Sequence, residues 1–336
     1  MRTSELHFDF PEELIATAKS DPTRVMWVGD DRQPQELTFA EVLTKIPAGD
    51  VVVVNDTKVV KRRVFANDLE ILFLQELPEN EWQVLMPAKN LKIGARISLP
   101  MGATAELIEK GRPQELKIDR KLTPEDFEKH GELPLPPYIQ RARGERHNRG
   151  ADQDDYQTAW AKSDGSLASP TASLHFKTAD IQTLKDRGVR VKSLTLHVGL
   201  GTFLPVTSDN LDEHVMHAET VTIPRDTWLA IEAARGEGRG VWALGTTVAR
   251  AIESAAAGLL TETPDGFHGE TRLFMKPGAE WRRITRLMTN FHQPESTLLA
   301  LVASFHSLES VKSAYQWAIE RRFKLFSYGD FSVWIR

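Results

Sequence analysis

The chain has no cysteine. That absence excludes disulfides, thiolate nucleophiles, Cys-ligated zinc and cysteine-held iron–sulfur clusters, and with the last of these any radical chemistry built on such a cluster. No apolar run approaches the roughly 20 residues of a membrane span. The opening MRTSELHFDFPEEL is acidic where an export or transit peptide would be basic, so the cytoplasm is the expected compartment. An excess of positive charge is missing as well: 42 Lys plus Arg against 47 Asp plus Glu give a net charge of −5. A uniformly basic nucleic-acid coat is thereby excluded, and any contact with a polyanion must be local. There is no internal repeat, no low-complexity tract and no G-x-S-x-G elbow, so no Ser/His/Asp order can be argued. GLGTF (Gly199–Phe203) lacks the third glycine of a dinucleotide fingerprint, since Leu204 and Pro205 occupy that place.

What is present is an ordinary globular composition, 41% hydrophobic and 26% charged over 336 residues, long enough for about two domains. DVVVVNDTKVV (Asp50–Val60) contains four consecutive valines, a β-branched run that reads as a buried strand with Asn55-Asp56-Thr57 at its carboxyl end. From about Leu69 to Leu99, short apolar runs separated by Pro78-Glu79-Asn80 and Gly94 predict a small all-β module. Gly131 to Gly150, proline-rich and then RARGERHNRG, reads as a linker or mobile loop and a domain junction. Beyond it the rhythm is α/β. A helix is predicted over Thr178–Arg187, with Thr178 as N-cap and Gly188 as stop, followed by a strand at SLTLHV. VWAL is a strand running through Gly245-Thr246-Thr247 into a helix, TRLFMK and RLMTN are further strands, and a helix starts at Ser296-Thr297.

Few segments could carry chemistry. Glu213–Glu219 holds His214 and His217 at i, i+3, a poor match to the i, i+4 zinc spacing. Gly245-Thr246-Thr247 would aim free amides and hydroxyls at an anion, or would simply be a βα turn. Arg250 and Glu253 would then share a face of the following helix. Two basic clusters stand out: Lys58, Lys61, Arg62 and Arg63, then Arg141, Arg143, Arg146 and Arg149 with His147. Charge runs are commonly solvated faces, and they are also how a phosphate backbone is held locally.

Taken together, these segments closely resemble the S-adenosylmethionine:tRNA ribosyltransferase-isomerases of queuosine biosynthesis. The match is carried by NDTKV (Asn55–Val59), LPPYI (Leu135–Ile139), DYQTAWA (Asp155–Ala161), SPTASLHF (Ser169–Phe176), TLHVGLGTFLPV (Thr195–Val206), MHAE (Met216–Glu219), GTTVARAIES (Gly245–Ser254), LFMKPG (Leu273–Gly278), TNFHQPESTLLALVASF (Thr289–Phe305) and FSYGD (Phe326–Asp330). The chain departs from the family pattern at Lys61-Arg62, Ser173, Ala218 and Gln293, and through much of the β-module. The resemblance implies a two-domain α/β fold. A large α/β catalytic domain would be built from both ends of the chain, 1–64 and 150–336, with a small β-barrel inserted at 65–149 together with the basic linker.

The implied reaction moves the ribosyl part of S-adenosylmethionine onto the aminomethyl group of 7-aminomethyl-7-deazaguanine at the tRNA wobble position. It gives epoxyqueuosine-tRNA and releases adenine and methionine. S-Adenosylmethionine is a co-substrate, and neither a bound cofactor nor a metal is expected. On this reading His175 and His197 are the acid/base candidates, Asp56 and Glu219 the carboxylates orienting the sulfonium or the amine, and His292 a second donor. Thr171, Thr246, Thr247, Thr289 and Asn290 are suited to hold ribose oxygens or the methionine carboxylate. Asn55, Thr57, Tyr156, Gln157, Arg250, Glu253, Tyr328 and Asp330 complete the expected substrate contacts, and the two basic clusters would hold tRNA. A structural hydrogen bond accounts for several of these residues as well. Two other functions fit the same residues: a paralogue using S-adenosylmethionine with another acceptor, and a tRNA-binding protein without catalysis.

Overall fold

The computed structural model describes residues 1–199, 201 and 206–336, so most of the GLGTFLP segment lies outside the described residues. Two sheets organise the chain. The larger has ten strands, and its centre is four parallel ones in the order Arg190–Leu196, Val51–Asn55, Val241–Leu244 and Arg286–Asn290. On one side it continues antiparallel through Glu219–Pro224, Gly266–Thr271 and Thr261–Thr263. On the other, Phe331–Ile335 runs antiparallel to Arg286–Asn290, and then come Arg24–Val28 and Pro34–Thr38.

The valine run follows from this position. Val51 and Val53 face one hydrophobic core and Val52 and Val54 the other, so every side chain of the strand is buried. A strand covered on both faces has no reason to alternate with polar residues. VWAL behaves the same way, with Val241 and Ala243 in the first core and Trp242 and Leu244 in the second. Helices Arg225–Gly236, Thr246–Ala256, Thr297–Phe305 and Leu308–Glu320 cover the first face, and Phe39–Lys45 with Thr178–Asp186 the second.

Local chemistry sets the helix ends. The hydroxyl of Ser296 accepts from the amide of Leu299 (3.2 Å), which places the helix start where the sequence suggested. Thr178, however, is the first helical residue rather than the cap: the amide of Lys177 donates to Asp180 (2.7 Å), and this carboxylate closes the first turn. Gly245, at φ 100°, turns the chain directly from strand into helix, a conformation open to glycine and strained for other residues.

The second sheet takes residues 63–132 and is antiparallel throughout, in the order 131–132, 63–66, 69–77, 81–85, 114–118, 104–109 and 96–98. It encloses its own apolar cluster, including Phe73, Trp82 and Phe127. It is curled into a half-barrel in place of the small β-barrel expected. Register shifts at Phe73/Gln75 and Glu115/Leu116 curl it, but among the described residues its two edge strands do not pair.

Two other expectations need correction. TRLFMK contributes only Thr271 to a strand, which lies earlier, at Gly266–Thr271; the hydroxyl of Thr271 accepts from the amide of Leu273 and turns the chain out of the sheet. The 131–150 stretch is not a loose linker. It contains the helix Pro137–Arg143, and buried Arg143 grips buried Asp152 with two parallel hydrogen bonds (2.7 and 2.8 Å). Asp152 also accepts from the Arg149 amide and the Tyr328 hydroxyl. A polar segment is ordered here by a buried ion pair, which hydropathy does not reveal. Asp152→Ala would leave the guanidinium buried and uncompensated, so we expect a loss of about 3–5 kcal/mol in unfolding free energy. An unchanged denaturant midpoint would refute this account of the segment.

Candidate active site

The four central parallel strands end along one edge of the large sheet, the place where open α/β sheets bind ligands. Asn55 ties three of these ends together. Its carboxamide oxygen accepts from the amides of Leu196 (3.0 Å) and Thr57 (3.2 Å), and its nitrogen donates to the carbonyl of Leu196 (2.9 Å) and the hydroxyl of Thr247 (3.4 Å). The side chain is fully buried, so all four bonds are sheltered from water.

Asp56 and Thr57 follow. The Asp56 carboxylate accepts from the hydroxyls of Thr195 (2.6 Å) and Ser193 (3.1 Å) on the neighbouring strand. Thr57 Oγ1 lies 2.8 Å from His197 Nδ1. The imidazole of His197 lies against Gly165, where a β-carbon would come within 3.1 Å of the ring at a φ of +141°. A glycine is required there for the ring to lie flat on the chain. Half-burial holds His197 below the ordinary imidazole pKa, with Asp56 and Asp164 pulling the other way. Its Nε2 has no hydrogen-bond partner among the described residues.

His175 ends the 3-10 turn Thr171–His175, which packs over the end of Arg286–Asn290. Asn290 Nδ2 donates to His175 Nε2 (2.9 Å), while the hydroxyl of Thr171 donates to Asn290 Oδ1 (2.9 Å). Thr23 Oγ1 lies 3.2 Å from His175 Nδ1. Both ring nitrogens are therefore engaged. Burial, followed by the charge of Lys19, pushes the imidazole down to about 3. His292 is also pushed down to about 3, by burial alone, with Nε2 2.9 Å from Thr289 Oγ1. Its amide donates to the Tyr315 hydroxyl (3.0 Å). The three histidines are thus neutral at physiological pH.

Glu219 is bound on both oxygens, by the Gly199 amide (3.3 Å) and by the buried guanidinium of Arg250. Arg250 Nε donates to the Leu273 carbonyl (3.0 Å), and its Nη2 is buried with no partner among the described residues. Thr246 is buried in the first turn of the helix that Thr247 and Arg250 also occupy.

Other expected contacts are employed inside the fold. Glu253 lies farther along that helix and accepts the amides of Arg282 (2.8 Å), Arg283 (2.9 Å) and Ile284 (2.8 Å), so it holds a loop. Asp330 clamps the amides of Arg24 and Lys324. Gln157 bonds both the amide (3.1 Å) and the carbonyl (2.8 Å) of Val59. Tyr328 is bound to Asp152, and Tyr156 is buried against its ring.

The basic clusters divide in the same way. Arg63 and Arg143 do not belong to a docking face: both are buried, Arg63 against Glu132 (2.7 Å) and Asn148 (2.6 Å), Arg143 on Asp152. Arg62 stacks over Trp82 and Phe127. Lys58, Lys61 and Arg149 pair with Asp164, Glu128 and Glu145, and Arg146 donates to the carbonyl of Asp68. Arg141 is exposed. His214 and His217 lie on an irregular segment and not on a helix, so the spacing considered for them does not place both on one helical face. Thr23 and Lys19, which touch or electrostatically influence His175, were missed because they lie about 150 residues away in an unremarkable stretch with no motif.

The fold defines a mixed α/β protein, with the strand-end cluster at the carboxyl edge of its large sheet as the candidate site. The chain belongs to the queuosine biosynthesis protein family, whose sequence profile matches residues 3–334. It is 39% identical to the S-adenosylmethionine:tRNA ribosyltransferase-isomerases of Parvibaculum lavamentivorans and Rhodospirillum rubrum, with 98% and 99% of this chain covered and 98% of each relative. Its structure resembles the crystal structure of the S-adenosylmethionine tRNA ribosyltransferase of Thermotoga maritima, with a TM-score of 0.55 and 27% identity. The match covers 98% of this chain and 99% of that one.

Neutral burial of His175 and His292 has a consequence in acid. On unfolding, each recovers an ordinary imidazole and takes up a proton below about pH 6.5, so the unfolded state binds more protons and stability falls as pH drops from there toward 3. Each contributes a slope of up to about 1.4 kcal/mol per pH unit. Urea unfolding at a series of pH values should show the decline, and His292→Asn should remove one histidine's share.

Proposed function

We infer that the strand-end site transfers and isomerises the ribosyl moiety of S-adenosylmethionine onto tRNA, the queuosine-synthesis reaction for which the relatives are named. One observation carries this reading: Asn55, His197, Thr247 and Asn290 come from four separate matched motifs and gather at one edge of the sheet, within a family match spanning residues 3–334.

The acceptor is proposed to be the aminomethyl group of 7-aminomethyl-7-deazaguanine at the wobble position. A sulfonium acidifies the hydrogens on the sugar's 5′-carbon, and a neutral base can remove one to form the ylide. His197 suits that task, because it is held neutral and has an unengaged Nε2 at the site edge. Opening of the furanose expels adenine, the amine attacks, an alkoxide closes the epoxide, and methionine departs. Asp56, held by two hydroxyls, supplies negative charge toward a bound sulfonium. His175, with both nitrogens engaged, positions Asn290 as a neutral polar contact rather than moving the proton. His292 with Thr289, and Thr171 with Asn290, offer hydroxyls and amides to ribose or to the methionine carboxylate. Arg250 Nη2 is a further unengaged donor beside Glu219.

Separate apolar cores support two domains, with the small one following the second sheet at 63–132 rather than 65–149, because Leu133, Leu135 and Ile139 pack with Tyr156 and Tyr328 of the large one. No helix among the described residues is long and apolar enough to cross a membrane. A tRNA-modifying reaction supports the cytoplasm as its compartment.

The test is mass spectrometry of tRNA bearing the aminomethyl base after incubation with the enzyme and S-adenosylmethionine. The epoxyqueuosine mass and free adenine are expected; an unmodified tRNA with no adenine would overturn the reading. His197→Gln should lower turnover by roughly 10²–10⁴ while retaining S-adenosylmethionine binding. Asn290→Ala should weaken that binding by about 1–3 kcal/mol in calorimetry. The proposed steps require neither a metal nor a resident cofactor, so activity should survive exhaustive chelation. Loss of activity on chelation, with rescue by one divalent ion, would instead implicate His214 and His217.

A further inference from the structure

We propose that a lysine-lined cleft next to the strand-end site, formed by Lys19, Lys58, Lys61 and Lys177 with the hydroxyl of Thr158, binds the phosphodiester backbone of the tRNA beside the reacting base. The proposal rests on the reaction inferred above and assigns the site that would hold its macromolecular substrate.

The cleft is a cavity of about 670 Å³ where the helix Pro124–His130 faces the strand Thr57–Val59 and the start of the helix Thr178–Asp186. Four lysines line it against two carboxylates, Glu128 and Asp154. Strand alternation explains one of them: Thr57 and Val59 point inward and are buried, so Lys58 points out. Gln157, bonded to both the amide and the carbonyl of Val59, holds that strand in place.

The charges are unevenly neutralised. Lys61 reaches Glu128 (2.5 Å) and Lys58 reaches Asp164 (3.1 Å), both on exposed carboxylates. Lys19 and Lys177 form no ion pair among the described residues. Lys19 is half-buried, and its ammonium is driven below the ordinary lysine value by burial and by Lys177, while Asp155 and Asp21 act in the opposite sense. Four lysines against two lining carboxylates leave the cleft with an excess of positive charge, which suits an anion.

A second observation is independent of charge. Thr158 lines the same cavity with 6% exposure, and its buried Oγ1 has no hydrogen-bond partner among the described residues. A buried hydroxyl left without a partner is uncommon in a finished fold, and a ligand oxygen would supply one. Position supplies the third. Lys58 follows Thr57, which contacts His197, and Lys177 lies two residues after His175, which senses the charge of Lys19. A nucleic-acid backbone in the cleft would therefore carry a base to the edge where the imidazoles gather. Lysines spread around a cavity suit successive phosphates, each met as a point charge, better than one planar carboxylate.

The test uses the full chain and the tRNA that the mass-spectrometric assay shows to be modified. Lys19→Ala combined with Lys177→Ala should weaken tRNA binding several-fold at low salt and flatten its log–log salt dependence by roughly 0.7–0.9 per lysine, with S-adenosylmethionine affinity unchanged. Thr158→Val should weaken tRNA binding with the salt slope unaltered, since a neutral hydroxyl releases no counterion, and should leave the unfolding midpoint in place. Unchanged tRNA affinity and slope in the double variant would overturn the proposal. Loss of S-adenosylmethionine affinity there would also overturn it, by assigning the lysines to the methionine carboxylate. Wild-type chain assayed in parallel separates the two levels, because failure of the reaction reading shows as absence of modified tRNA with the wild type itself.

Discussion

Three of the four parallel strand ends at the carboxyl edge of the large sheet are tied together by one buried carboxamide. Asn55 ends the valine strand and satisfies both the amide and the carbonyl of Leu196, the amide of Thr57 and the hydroxyl of Thr247. Through Thr57 it sets the ring of His197; through Thr247 it registers the first turn of the helix that carries Arg250 toward Glu219. Aspartate has the same shape but no donor, so the carbonyl of Leu196 would lose its partner and a buried charge would be added. The strand ends are thus held together by a neutral group with both a donor and an acceptor.

Neutrality is the theme of the site. Three imidazoles lie near one edge, and burial keeps each below its ordinary pKa. Protonated, they would form a cluster of positive charge and repel a sulfonium, itself a fixed cation. The formal charges that remain are mostly engaged: Glu219 with Arg250, and Asp56 with two hydroxyls. Beside His197 such a surface presents oriented hydroxyls and the Asp56 carboxylate, while the cations nearest the imidazoles are Arg250, paired with Glu219, and Lys19, near His175.

The sequence made legible the elements whose cause is local. The valine run and VWAL predicted buried strands because two-sided burial requires continuous apolar residues, and Ser296 predicted a helix start because its hydroxyl caps one. The antiparallel module was visible in its short runs and in the turn at Pro78–Asn80, although its failure to close into a barrel was not. What stayed hidden depends on partners distant in sequence. Arg63 and Arg143 look the same as Arg141 in a string of letters, yet each is buried on a carboxylate supplied from elsewhere. Glu253 resembled a site residue because it shares a helix with Thr247, and three amides near residue 283 claim it. TRLFMK had strand composition, but a hydroxyl at Thr271 turns the chain before the strand can continue. Among the candidate site residues, motif resemblance pointed to Asn55, His197 and Asn290, while Thr23 and Lys19, which lie against or near His175, carried no motif.

The position of Phe331–Ile335 has a consequence for the order in which the molecule is made. This strand lies inside the large sheet, between Arg286–Asn290 and Arg24–Val28. The hairpin formed by Arg24–Val28 and Pro34–Thr38 meets the rest of the sheet only through it. On a ribosome the hairpin emerges long before the strand it pairs with. Until then the edge of Arg24–Val28 that faces Phe331–Ile335 lacks its partner strand, while Val25 and Trp27 already have Val42, Leu43, Val52 and Val54 to pack on. The early hairpin is therefore held by one core before its sheet edge is paired, and that open edge is the part exposed to wrong partners.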